Sequence, residues 1–107
     1  MLKDGSIWIF LGQLAKKIDS QRYQVVDHWD ADLCAVGIAA VEDMGRLVYV
    51  STYSLDPGQY SVECEIPDED DPIGYRVAAR REDIPLDEVV AMIRCHLPIP
   101  DSDGALP

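Results

Sequence analysis

Glu63 and Glu65 stand two residues apart in the run Gln59–Ile66, QYSVECEI. Side chains at i and i+2 of a strand share a face, so the two carboxylates point the same way. Paired carboxylates divide general acid and base work where a cleft splits their pKa values. The same pair can instead face Arg76 and Arg80 on the next strand as a cross-strand ion ladder. Each exposed pair of that kind contributes at most roughly 1 kcal/mol. Contact with a cationic partner is the third use. The run Asp68, Glu69, Asp70 and Asp71 lacks the D-x-[DN]-x-[DN]-G spacing and distal glutamate of a calcium loop. It reads as a solvated loop or as a surface for a basic partner, and no metal is expected.

The segment DHWDAD places Asp27, Asp30 and Asp32 around Trp29. A tryptophan ringed by acids is an anchor for a basic protein surface, because Trp is enriched at binding hot spots. The alternative is Trp29 in the core with the acids capping a turn. His28 invites an acid–base reading, but the second histidine, His96, lies far along the chain beside Cys95. A zinc site needs three or four ligands, and no paired spacing supplies them. Adjacent residues on a helix do not face one another, which disfavours a Cys95–His96 dyad. No P-loop, GxGxxG or G-x-S-x-G motif is present. The expectation is a protein without catalytic residues or cofactors.

The charge balance narrows the partners. Residues 1–55 carry five Lys/Arg and seven Asp/Glu, a net of −2; residues 56–107 carry four and thirteen, a net of −9; together these give −11. No basic patch exists to release phosphate counterions, so nucleic acid is not expected as a ligand. A cationic protein is favoured, and the field would speed its association. Solubility alone is the competing explanation. The three cysteines, Cys34, Cys64 and Cys95, are widely spaced and odd in number. Neither a disulfide framework nor a CxxC site results, so all three are read as reduced and at least partly buried. No apolar run is long enough to span a membrane. Asp4 and Gly5 precede only a short apolar stretch with no small-residue cleavage site, so a cytoplasmic location is expected.

The elements that position these residues follow from periodicity. Ile7, Phe10, Leu11, Leu14 and Ile18 fall at helical spacing over residues 6–19, with Ser6 as N-cap and Lys16 and Lys17 at the C-terminal end. Trp8 and Ile9 lie off the centre of that stripe and leave a strand start as the alternative, and Gly12 weakens the helix. Strands are read at Arg22–Trp29, at Leu33–Val41 (apolar on both faces, hence central, with Gly37 marking a bulge or close packing) and at Leu47–Tyr53. Turns at 42–45 and at Asp56-Pro57-Gly58 join them. Gln59–Ile66 then pairs with Gly74–Arg80 as a hairpin whose tip is acidic. In its second strand Tyr75, Val77 and Ala79 share one face and Arg76, Ala78 and Arg80 the other. Leu86, Val89, Val90, Ile93 and Leu97 repeat the helical stripe, with Pro85 in the first turn and Pro98 and Pro100 ending it. The expected fold is a single α+β domain over 1–107: an antiparallel meander sheet of four or five strands with an N-terminal and a C-terminal helix packed on one face, and a frayed tail from about residue 98.

In overall character the chain resembles the immunity proteins of bacterial polymorphic toxin systems, including contact-dependent growth inhibition. WDADLCAVGIAAVEDMGRLVYVSTY and GQYSVECEIPDEDDP, in the middle of the chain, carry the resemblance. It implies binding to one cognate toxin domain, often a basic nuclease, and blockage of its active site or substrate surface. No shared motif transfers a residue role. On the residues themselves, the partner-facing set is Asp27, Trp29, Asp30, Asp32, Glu63, Glu65, Asp68, Glu69, Asp70 and Asp71. The competing expectation is a small acidic structural or regulatory subunit that homodimerises through the sheet face left uncovered by the helices.

Overall fold

The computed structural model describes residues 2–27, 32–41, 45–72, 74–97 and 99. Trp29, Asp30 and His28 lie outside the described residues, as do the turn positions 42–44 and the tail residues 98 and 100–107.

A helix, α1 (Gly5–Lys17), precedes β1 (Tyr23–Val26), β2 (Ala35–Ala40), β3 (Leu47–Ser51), β4 (Gln59–Pro67) and β5 (Tyr75–Pro85), and α2 (Leu86–His96) closes the series. Among the described residues the strands form one five-stranded sheet in the order β1-β2-β3-β4-β5, every neighbour antiparallel. This is the expected meander, since turns too short for a crossover force consecutive strands to pair antiparallel.

Both helices bury their apolar stripes on the same side of the sheet. Ile7, Phe10 and Leu14 of α1 and Val89, Val90 and Ile93 of α2 share one cluster with Val36, Ile38, Val48, Val50, Tyr60, Val62 and Cys64. The Phe10 and Tyr60 rings meet at 5.3 Å, tilted by 51°, a favourable geometry for aromatic pairs. All six residues of β2 are buried, as its apolar run predicts. On the opposite face Val26, Ala39 and Leu47 form a small second cluster with Tyr75 packed against it. Ile99 is also packed into the main core, so ordered packing reaches beyond the expected start of the frayed tail. Among the described residues no helix is long and apolar enough to cross a membrane.

Four local expectations are corrected. The N-cap of α1 is Asp4, not Ser6: its carboxylate accepts the Ser6 N–H at 3.0 Å. β2 runs in regular register against both neighbours, so Gly37 marks no bulge. The irregularities fall in the β4–β5 pairing, between Tyr60 and Val62 and between Cys64 and Glu65. The second opposes Cys64 to Ala79 and Glu65 to Val77, leaving Ala78 as the extra residue. An extra residue reverses the alternation beyond it. Tyr75 and Val77 therefore share the uncovered face with Glu65 rather than the core face with Ala79, and Val77 is 44% exposed. Finally, β5 continues past Arg80 to Pro85 and runs directly into α2, with Pro85 in extended conformation at the N-cap position.

Candidate functional site

The uncovered sheet face is built by the odd-numbered positions of β3 and β4. Register places Gly37, Tyr49, Glu63 and Arg80 side by side across β2, β3, β4 and β5. Polar contacts follow that row. The Tyr49 hydroxyl donates to Asp32 Oδ2 at 3.1 Å, and Arg80 Nη2 lies 2.7 Å from Glu63 Oε1. Burial, with the Asp32 carboxylate beside it, pushes the Tyr49 phenol up to about 12. A shallow groove of about 630 Å³, lined by Asp32, Leu33, Cys34, Tyr49, Ser51 and Tyr53, opens beside this row. Its rim is apolar and aromatic: Leu33 is 46% and Tyr53 67% exposed.

The acidic hairpin tip is an ordered turn. The Asp68 N–H donates to Gly74 O at 2.8 Å, Asp71 N–H to Asp68 O at 3.1 Å and Gly74 N–H to Asp71 O at 2.9 Å. Gly74 has φ +85°, open to glycine at no steric cost. Asp68 Oδ1 accepts the Asp70 N–H at 3.0 Å, and Arg76 Nε lies 3.6 Å from Asp68 Oδ2. Asp68 thus stabilises the turn, while Glu69 and Asp70 are exposed at its end. The expected ladder is half present. Glu63 pairs with Arg80, whereas Arg76 faces Asp68 because the bulge at Ala78 turns it away from Glu65.

Asp27 and Asp32, expected to face a partner, sit at an internal anchor. The Lys3 side chain has no exposed surface; its Nζ lies 2.7 Å from Asp27 Oδ1 and donates to Asp32 O at 2.8 Å. The approach to Asp27 falls outside hydrogen-bond geometry, so this contact is an ion pair. Asp32 Oδ1 also accepts the Cys34 N–H at 3.1 Å. The structure therefore brings together Glu63, Glu65 and the tip acids on one hairpin, and joins Asp32 to them through Tyr49.

Sequence reasoning missed a second concavity. A cleft of about 460 Å³ lies at the N-terminal end of α1, bounded by Asp4, Ser6, Ile9, Cys34, Thr52 and the 55–60 segment. Asp4 Oδ2 accepts the Ser6 hydroxyl at 2.6 Å, and Ser6 Oγ lies 2.6 Å from Thr52 Oγ1. The Ser6 hydrogen bonds hold the Asp4 carboxyl below its usual range, the wrong direction for a general base working near neutrality. His96 Nε2 is 2.8 Å from Glu65 O, a structural tie between α2 and β4. Among the described residues no group of three or more His, Cys, Asp and Glu side chains can hold a metal ion. Cys34 is half-buried and Cys64 buried, whereas Cys95 is exposed on α2, not partly buried as expected; burial, with Cys95 nearby, pushes the Cys64 thiol up to about 11, away from the thiolate that nucleophilic chemistry requires. What the arrangement offers chemically is a ridge of carboxylates beside an aromatic-rimmed groove, a surface suited to binding.

No family model, no curated protein and no solved structure matches the chain.

Proposed function

We propose that this chain is an immunity protein that binds one cognate toxin domain, of basic and nuclease-like character, and neutralises it. The supporting observation is the concentration of acid on a single hairpin. Glu63, Glu65, Asp68, Glu69, Asp70 and Asp71 all belong to β4 or to the turn that follows it. Glu63 pairs with Arg80 and Asp68 with Arg76, and these six acids outnumber the two arginines of those pairs. The excess carboxylate potential steers a cationic partner to this end of the sheet. The acids then take the place of phosphate in the partner's groove, and the groove beside Tyr49 and Tyr53 receives the flanking side chains. The protein acts by occupancy and catalyses nothing.

Reversing Asp68, Glu69, Asp70 and Asp71 to Lys tests this reading. Steering acts on the encounter, so association at low salt should slow by about 10-fold or more, with a smaller change in dissociation. An unchanged association rate at low salt removes the tip from the mechanism.

A further inference from the structure

α1 is apolar on both sides. Its core stripe is Ile7, Phe10 and Leu14, all fully buried. A solvent-facing helix surface is normally polar and charged. Here the outward positions are Gly5, Ile9, Gly12 and Lys16, flanked by Trp8, and residues 5–15 contain no charged side chain. Trp8 is 50% and Ile9 62% exposed. Gly12 is unexplained within one chain: nothing lies within 4 Å of a Cβ placed there, and it has no positive φ. A helical glycine is less stable than alanine, and no close packing within one chain offsets that cost at Gly12.

We propose that this face packs against the same face of a second copy, α1 antiparallel to α1 about a two-fold axis between Phe10 and Leu11. That axis places Ile9 of each copy over Gly12 of the other, a side chain entering the space that a missing Cβ leaves. It places Trp8 beside Gln13. It also brings Lys16 and Lys17 of one helix to Gly5 and Asp4 of the other, so each cationic helix end meets the anionic N-cap. Isologous contacts require this kind of self-complementarity. Two chains of net charge −11 repel one another, and α1 is where they can approach most closely: residues 5–18 hold two lysines and no acid. The inference is independent of the toxin reading, because α1 lies on the opposite side of the sheet from Glu63 and Glu65.

Sedimentation velocity of the full chain across a dilution series tests it. A reversible dimer is expected. Raising salt should strengthen it, because screening relieves the long-range repulsion more than it weakens a few exposed ion pairs. Ile9→Lys and Gly12→Leu should each raise the dimer Kd about thirtyfold or more, the effect of losing a central anchor. The urea midpoint of dilute Gly12→Leu protein should not fall, which separates loss of the interface from loss of the fold. A wild-type chain that stays monomeric at every concentration overturns the proposal. So does a dimer that survives both substitutions.

Discussion

Lys3 offers the sharpest energetic test of the structure. Its side chain has no exposed surface, and it faces Asp27 at 2.7 Å and Asp32 O at 2.8 Å. Removing one member of a buried ion pair costs about 3–5 kcal/mol, because the remaining charge keeps its desolvation cost without its partner. The Asp27 side chain retains 22% exposure, so water recovers part of that cost. Lys3→Met preserves most of the stem volume and isolates the charge effect; the expected loss is about 2–3 kcal/mol. A domain of this kind has only about 5–15 kcal/mol in total. Adding Asp27→Asn to Lys3→Met should recover part of the loss, since an amide is cheaper to leave unpaired than a carboxylate. Urea unfolding followed by circular dichroism measures both, at constant m-value. A loss below about 1 kcal/mol for Lys3→Met, comparable to a surface pair, would refute the anchor. Asp27 and Asp32 would then be free to serve a partner.

Three other outcomes follow from the same contacts. Tyr49 has its phenol raised to about 12; a raised pKa contributes stability fully present below the unfolded value near 10 and lost as pH climbs toward 12. Ultraviolet titration should therefore show one fewer late-titrating tyrosine in Tyr49→Phe, and equal curves would contradict the Asp32–Tyr49 contact. Cys95 is exposed and Cys64 buried with a thiol near 11; timed alkylation read by mass spectrometry should modify Cys95 well before Cys64, and the reverse order would contradict the packing of β4 under α2. A double-mutant cycle on Glu63 and Arg80, whose side chains are 28% and 57% exposed, should return a coupling of about 1 kcal/mol or less in urea unfolding; a much larger value would mean the pair is shielded from water.

The architecture was legible wherever one chemical pattern ran uninterrupted. The alternation in Gln59–Ile66 and the apolar run Leu33–Val41 announce a half-buried and a doubly buried strand, and both form, the second over the shorter span Ala35–Ala40. The two helical stripes converge on one core because each presents a single apolar face to the same sheet side. The reading failed where one residue altered the phase. Ala78 carries no mark of a bulge, since it is neither glycine nor proline, yet it moves Tyr75 and Val77 to the other face. The other irregularity, between Tyr60 and Val62, lies beside Asp83, at φ +56° and clasped by Gln59 Nε2. The candidate site was legible as composition and illegible as contacts. Asp27 and Asp32 look like surface acids in DHWDAD, but a lysine far away in sequence engages both, and Tyr49 reaches Asp32 from β3. Such long-range pairings leave no local periodicity to read. The exposed character of Trp8 and Ile9 could have been inferred from their position off the α1 stripe, the one sign that this helix has a second apolar face.

The proposed function is tested most directly by affinity capture of the tagged full chain from its source cells at low and at moderate salt, with bound protein identified by mass spectrometry. The account predicts one stoichiometric basic partner that is lost as salt rises. Recovery of the chain alone, or of a partner without basic character that is indifferent to salt, would contradict it.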